Sequence, residues 1–177
     1  MEVAPRGTDL TGDGPDRRRP RAPAAGVTLA SVLEASPEAV WRTVTSPAGI
    51  ADEMRPLLRM TFPIPGQRLD AAEVPPGRRL GRCWLLLFGV VPFEFDDLTL
   101  VRIEPGRGFL ERSTMLSLRL WEHERTLEPV PEGCLLTDRL GWEVRLGLPA
   151  GPLRPLVGRF FAHRHRRLRR RFGGRPA

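Results

Sequence analysis

The most constraining feature of the sequence is a stretch from Leu80 to about residue 146 in which apolar and polar side chains alternate with a period of two. This alternation is typical of β-strands that bury one face and expose the other. Turn-forming residues interrupt it at Gly89 to Pro92, at Pro105 to Gly108, around Leu116, and at Pro129 to Gly133. The pattern therefore predicts five antiparallel strands that follow one another as a meander.

Helix signals lie on both sides of this meander. After a strand expected at 27–35, Ser36-Pro37-Glu38 and Ser46-Pro47 each place a capping hydroxyl before a proline suited to the first helical turn, so they predict two short helices. Residues 152–172 predict a helix of about 20 residues that Gly173-Gly174 ends, because its apolar residues share one side. That apolar side consists of Val157, Phe161, Leu168 and Phe172. The order of elements predicts an α+β fold in which the long helix lies across a curved antiparallel sheet of about six strands.

The length of 177 residues suits one globular domain. Residues 1–26 are rich in Pro, Gly, Asp and Arg, and ordering them would cost backbone entropy with little burial in return. We therefore expect a disordered tail over 1–26, one domain over 27–174 and a short tail over 175–177. The longest apolar run is about half the roughly 20 residues that a membrane-spanning helix needs, so no transmembrane segment is expected.

The positive charge is confined to one end of the chain. Residues 1–144 hold 18 Arg against 21 acidic residues, whereas residues 145–177 hold 10 Arg and no acid. A solvated Arg face on the last helix accounts for this, and the alternative is contact with an anionic membrane or nucleic acid. Specific nucleic-acid recognition is not expected, because no base-reading motif accompanies the charge.

Several kinds of chemistry are excluded or disfavoured by residue types. Lysine is absent, so no Schiff-base lysine and no Walker-type phosphate loop can exist. Cys83 and Cys134 are too few for a disulfide framework and lack metal-ligand spacing, which favours a reducing cytoplasm. His163 and His165 stand two apart on a helix and point away from each other, so they cannot share one ion. We expect neither a metal nor a cofactor.

Five segments in this order resemble the SRPBCC superfamily, which contains START domains, polyketide aromatase/cyclases and plant allergen-like carriers. The segments are SPEAVW at 36–41, EPGRGF at 104–109, LWEHERTLEP at 120–129, LLTDRL at 135–140 and FFAHRHRRLRRRFG at 160–173. The resemblance implies a helix-grip fold whose sheet and long helix enclose a mostly apolar cavity. Some bacterial members carry a W-x-H-x-H pattern in the penultimate strand; here Trp121 and His123 match it, and Arg125 replaces the second histidine.

Strand alternation predicts a polar row on the inner sheet face. If Pro129 to Gly133 forms a hairpin loop, His123 should lie opposite Asp138, and a tight turn near Leu116 should place Glu111 beside His123. Arg125 should lie next to this row. Such a row could serve as a general acid/base or as an anchor for a ligand oxygen, or it could be a charge-balanced network that only sets the strand register.

The same alternation predicts which residues line the cavity. On the long helix, Arg164 and His165 flank the apolar side and could reach the cavity or extend past the edge of the core, while His163 faces water. Leucines at the outer face could form a small patch for a weak homodimer: Leu98, Leu100, Leu118 and Leu120. The predicted lining residues are Phe93, Phe95, Val101, Trp121, Leu140, Trp142, Val157 and Phe161, with His165 beside them and polar selectivity from His123, Asp138, Arg125 and Arg164.

The sequence thus favours a protein that binds a hydrophobic or aromatic small molecule, lipid-like or polyketide-like, as a carrier or sensor. An enzyme is the first alternative: a cyclase or aromatase in which His123, with Asp138 and Glu111, moves a proton. The second alternative is a protein that binds anionic surfaces through its Arg-rich helix.

Overall fold

The computed structural model describes residues 25–71, 76–145 and 153–177. The tail predicted over 1–26 lies outside these ranges except for Ala25 and Gly26, which begin the first strand. The elements, in chain order, are β1 (Ala25–Leu33), α1 (Pro37–Val44), α2 (Pro47–Met54), β2 (Leu58–Met60), β3 (Arg79–Leu87), β4 (Val91–Glu104), β5 (Gly108–Met115), β6 (Leu118–Val130), β7 (Gly133–Val144), α3 (Leu153–Phe172) and β8 (Arg175–Pro176).

Among the residues described, eight strands form one curved antiparallel sheet in the order β2-β3-β4-β5-β6-β7-β1-β8. Strands β3 to β7 are the predicted meander, and β1 closes its far side by pairing with β7. The α+β class and the long helix on the sheet are confirmed. The two further strands are β2 and β8, with three and two residues, and they are too short for alternation to predict.

The two short helices begin as their capping residues predict. The Ser36 hydroxyl accepts a hydrogen bond from the Ala39 amide at 3.3 Å, and the Ser46 hydroxyl accepts one from the Gly49 amide at 3.0 Å. A Cβ at position 49 would collide with the Thr43 carbonyl oxygen, so only glycine permits the close approach of α1 and α2. This tight pair holds the buried end of α2 against α3.

Helix α3 packs its predicted apolar side onto the sheet. Phe161 and Leu168 are buried, whereas Val157 and Phe172 are half-buried. The helix ends at Phe172, and the next two residues are glycines with positive φ angles of 77° and 109°, as the predicted stop requires. Within the described ranges, no helix combines the length and apolar character needed to cross a membrane.

The register of the β6–β7 hairpin differs from the prediction by two residues. His123 lies opposite Leu140, Arg125 opposite Asp138, and Trp121 opposite Trp142. Pairing continues to Val130 and Gly133, so the turn contains two residues instead of five. A shift of two leaves every side chain on its predicted face, because the side-chain period of a strand is also two.

The inward face of β4 was predicted wrongly. Glu94, Asp96, Leu98 and Leu100 point inward and are buried, whereas Phe93 and Val101 are exposed. Two acids among the even-numbered residues made that face resemble a solvent face. The predicted outer leucine patch is therefore wrong as well: Leu98, Leu100 and Leu118 are in the interior and Leu120 is half-buried.

Candidate functional site

A cavity of about 920 Å³ lies between the inner face of the sheet, the α2–β2 segment and α3. Its wall is mostly apolar: Val44, Ile50, Met54, Leu57, Leu58, Met60, Phe62, Leu69, Leu85, Leu87, Phe88, Phe93, Leu98, Phe109, Met115, Leu118, Trp121, Leu153, Leu156, Val157, Phe160, Phe161 and Ala162. The polar residues that reach it are Glu94, Asp96, Glu111, Ser117, His123, Arg159, His163, Arg164 and Arg166.

Part of this wall continues onto the exposed surface. Phe88, at the tip of the β3–β4 hairpin, is 66% exposed, and Leu156 on α3 is 64% exposed, yet both line the cavity. Leu87 and Phe93 are also both exposed and part of the wall. An exposed apolar rim that runs into an apolar interior is the surface along which an apolar molecule could enter.

The structure separates the predicted ligand-binding residues into two sets. The residues that line the cavity are Phe93, Trp121, Val157, Phe161 and Arg164. The residues that do not are Phe95, Val101, Arg125, Leu140, Trp142 and His165. Phe95 and Val101 are on the outer face of β4, and Leu140 and Trp142 are buried in the core with Phe161.

Arg125 and Asp138 form the centre of a buried ionic network. Arg125 Nε donates to Asp138 Oδ1 and Nη2 donates to Oδ2, both at 2.7 Å. Arg125 also donates three hydrogen bonds of 3.1 Å to Glu53. Arg125 and Asp138 are fully buried and Glu53 is 1% exposed, so these charges are stabilised by pairing with each other and not by hydration.

Two residues of α3 complete the network. Arg164 Nη2 donates to Glu53 Oε2 at 2.8 Å, and Arg164 also lines the cavity. His165 lies beside Asp138, with 3.2 Å between Nε2 and Oδ2, and its Nδ1 is 2.8 Å from the Ser31 hydroxyl. His165 therefore connects α3 to the sheet behind the cavity wall. Sequence reasoning missed Glu53, because a single acid at the end of a short helix carries no distinctive pattern.

Charge pairing outweighs burial at Asp138. Burial raises the pKa of this carboxyl, but the charge and hydrogen bonds of Arg125, together with His123, hold its pKa well below the usual range. For Arg125, burial lowers the pKa and the charges of Asp138 and Glu53 raise it above its ordinary value. Both groups are therefore ionised, and they form a structural pair.

His123 lies between two carboxylates. Its Nε2 is 2.9 Å from Asp138 Oδ1, and its Nδ1 is 3.7 Å from Glu111 Oε2. The predicted pairing of Glu111 with His123 is found in the β5–β6 register. On the other side, His123 contacts Asp138 of β7 diagonally, because the residue directly opposite it is Leu140. Phe109 and Phe161 each pack against the imidazole in a T-shaped arrangement, with ring centroids 5.1 Å away in each case. The Nε2 distance is that of a hydrogen bond, whereas the Nδ1 distance is too long for one.

Two further carboxyl groups line the cavity beside Glu111, and sequence analysis did not identify them because β4 was assigned the opposite face. Glu94 accepts hydrogen bonds from the Leu116 amide at 2.6 Å and the Ser117 hydroxyl at 2.5 Å, so it holds the β5–β6 turn. Burial, followed by the charge of Glu111, raises the pKa of Asp96 well above its usual value. Burial also raises the pKa of Glu111, but the interaction with His123 brings it below normal.

The Arg-rich face of α3 is used partly inside the protein. Arg167 donates to Asp52 at 2.5 Å and Arg169 donates to the Ser31 hydroxyl at 2.7 Å, so these two arginines attach the helix to α2 and β1. Arg166, Arg170 and Arg171 remain exposed. His163 was predicted to face water, but it is half-buried and bonded to the Arg55 carbonyl at 2.7 Å. Across the described ranges, no His, Cys, Asp or Glu residues are grouped as a metal site of three or more ligands.

Comparisons with solved structures identify the class of fold. Protein CV1439 from Chromobacterium violaceum has a TM-score of 0.61 and 16% identity over 81% of this chain and 94% of its own. A START superfamily protein from Mycobacterium smegmatis has a TM-score of 0.58 and 15% identity over 84% of this chain and 95% of its own. DynU16, from the dynemicin biosynthetic locus, has a TM-score of 0.54 and 22% identity over 82% of this chain and 48% of its own. These likenesses show that the chain has the helix-grip fold, as the resemblance to the SRPBCC superfamily implied.

Within that class, the chain belongs to the family DUF8410, a domain of unknown function, whose sequence profile matches residues 31–172. A comparison with curated proteins finds no match.

Proposed function

We propose that this protein binds an apolar small molecule in the cavity between its sheet and α3, as a cytoplasmic carrier or sensor. The observation that carries the proposal is the cavity of about 920 Å³, whose wall is mostly apolar with a smaller number of polar residues. Small-molecule sites are typically concave, mostly apolar and about 300–1,000 Å³ in volume, with few polar groups to orient the ligand.

Three of the polar groups lie together in the wall. Asp96 and Glu111 come from the neighbouring strands β4 and β5, and His123 on β6 pairs with Glu111. An amphipathic ligand would bury its apolar part against the aromatic and aliphatic wall and direct its polar end toward this group. The exposed apolar rim at Phe88 and Leu156 supports entry of such a ligand from the surface.

The alternative is an enzyme of the cyclase or aromatase type that uses His123 as an acid or base. His123 lines the cavity, as that role requires. However, it is 4% exposed, its Nε2 lies 2.9 Å from Asp138 Oδ1, and its Nδ1 faces Glu111 Oε2 at 3.7 Å. Both ring nitrogens thus face side chains of the protein itself, so the geometry supports binding better than proton transfer.

The proposal is tested with native mass spectrometry and thermal-shift measurements against a panel of lipids and fused aromatic compounds. Leu98→Trp places a bulky ring in the cavity, whereas Val101→Trp adds the same ring on the outer face of the same strand. We expect binding to wild type and to Val101→Trp, and loss of binding in Leu98→Trp that remains folded by circular dichroism. The proposal is wrong if the panel contains no ligand for wild type, or if Leu98→Trp binds as tightly as wild type does.

For the enzyme alternative, His123→Gln is compared with wild type on any bound compound that the protein converts. Turnover that depends on His123 while binding persists would favour the enzyme. A bound compound recovered unchanged after prolonged incubation with wild type would favour the carrier or sensor.

A further inference from the structure

One buried carboxyl in the cavity wall has an oxygen that the protein leaves without a partner. Asp96 lies on the inner face of β4, is 5% exposed, and lines the cavity. Its Oδ1 has no hydrogen-bond partner among the described residues. Buried polar atoms are almost always paired, because an unpaired one loses its bonds to water and gains nothing in return. An unpaired oxygen in a cavity wall therefore marks a position where a ligand atom can supply the missing bond.

The neighbours of Asp96 determine what that atom must be. The carboxyl of Asp96 is close to that of Glu111, and a side-chain hydrogen bond joins the two groups. The Ser113 hydroxyl donates to Glu111 Oε1 at 2.9 Å, and Glu111 Oε2 faces His123. Glu111 is thus the ionised member of the pair, and burial beside this charge raises the pKa of Asp96. A neutral Asp96 directs its proton to Glu111 and keeps its second oxygen as a hydrogen-bond acceptor.

An acceptor in an apolar wall selects a ligand by its donor group. Asp96 lines the cavity, so a donor group inside the cavity can approach its carboxyl. A hydroxyl can donate to the unpaired oxygen at little desolvation cost. An anionic carboxylate would be repelled by Glu111, and an ammonium ion would lose its hydration in the apolar cavity.

We propose that Asp96 is the specificity-determining residue of the cavity and that it accepts a hydrogen bond from a neutral hydroxyl group on the apolar ligand. The proposal rests on the ligand-binding function proposed above and names the class of ligand: an apolar alcohol or phenol.

The test compares probes that share one apolar skeleton: 2-naphthol, 2-methylnaphthalene, 2-naphthoate and 2-(aminomethyl)naphthalene. Dissociation constants are measured by isothermal titration calorimetry for wild type, Asp96→Leu and Asp96→Asn. The quantity of interest is the preference for 2-naphthol over 2-methylnaphthalene within each protein. Comparing this ratio between proteins cancels the different solubilities of the two probes, as in a double-mutant cycle.

Asp96→Leu removes the acceptor and should lower the preference for 2-naphthol about tenfold, the value of one net hydrogen bond. Asp96→Asn is the decisive variant. Its amide NH₂ can donate to Glu111 as the proton of Asp96 does, and its carbonyl oxygen remains free, so the preference should stay within about twofold of wild type. Asp97→Leu makes the same change on the opposite face of β4 and should leave the preference unaltered.

Three results would overturn the proposal: an equal preference in wild type and Asp96→Leu, a loss in Asp96→Asn as large as in Asp96→Leu, or tighter binding of the naphthoate or the amine than of 2-naphthol. In each case the skeleton still binds, so the proposed function survives and only the role of Asp96 fails. If neither these probes nor the wider panel binds wild type, the ligand-binding function fails and this inference fails with it.

Discussion

Replacing Arg125 by methionine would remove the cation that neutralises two buried carboxylates. Arg125 makes two hydrogen bonds to Asp138 and three to Glu53, and all three side chains are at most 1% exposed. Methionine has similar length and fits an apolar space, so the variant isolates the loss of charge from the loss of volume.

The magnitude follows from two opposing contributions. Hydrogen bonds to charged groups are each worth about 1.5–3 kcal/mol, so the five bonds represent on the order of 10 kcal/mol. Methionine avoids the desolvation cost of a buried guanidinium, which is several kcal/mol. The expected net loss in the free energy of unfolding at pH 7 is about 3–5 kcal/mol, the usual cost of leaving a buried charge without its partner.

The loss should depend on pH. In wild type the pKa of Asp138 is depressed, so its contribution to stability is present above the unfolded pKa of about 3.9 and is lost as the pH falls through the folded pKa. Without Arg125, burial raises the pKa of Asp138, and protonation on acidification relieves the uncompensated charge. The difference between wild type and variant should therefore shrink between pH 7 and about pH 4.

Urea denaturation followed by circular dichroism at pH 7 and pH 4.5 measures both effects. A matched control is Arg102→Met, which removes an exposed arginine from β4 and should change stability by less than about 1 kcal/mol. The reasoning is refuted if Arg125→Met loses less than about 1 kcal/mol at pH 7, or if its loss is as large at pH 4.5 as at pH 7.

Further predictions concern two glycines and two thiols. Gly49→Ala should destabilise the protein by about 1–3 kcal/mol, because the new Cβ collides with the backbone. Gly158→Ala should stabilise it by about 0.5–1 kcal/mol, because alanine favours a helix and its Cβ makes only an ordinary van der Waals contact. Equal urea midpoints for the two variants would contradict this. Burial raises the pKa of Cys83 to about 12 and that of Cys134 to about 11, so neither thiol should react with iodoacetamide at pH 8 until the chain is unfolded. Rapid labelling of the folded protein, followed by mass spectrometry, would show the burial of these thiols to be wrong.

Local signals in the sequence were sufficient for the elements and their order. Helix caps at Ser36 and Ser46, the glycine stop after Phe172 and the alternation from Leu80 onward all depend on neighbours within a few residues. The segments that carried the superfamily resemblance also lie within single elements or at turns. For these reasons the α+β class and the helix-grip fold could be predicted before any tertiary contact was known.

The inner face of β4 could not be predicted, because alternation shows that a strand has two faces but not which one is inward. Asp96 and Glu94 lie on the buried face, and the aromatic Phe95 lies on the other. The assignment failed where inward acids interrupt the apolar pattern, and those acids belong to the candidate site. The register of the β6–β7 hairpin could also be predicted wrongly by two residues, because a shift of two leaves each side chain on the same face of the sheet.

What the sequence by itself determined is the set of elements, their order and the pairing of Glu111 with His123, because short-range periodicity and one tight turn carry that information. Only the tertiary structure decided which charges meet. Glu53 is 72 residues from Arg125 and 111 from Arg164, yet it pairs with both once α2, the sheet and α3 enclose them. At such separations the local sequence does not determine which residues meet, so the packing of the helices on the sheet decides the partners of each buried charge. The same packing decides the shape and polarity of the cavity.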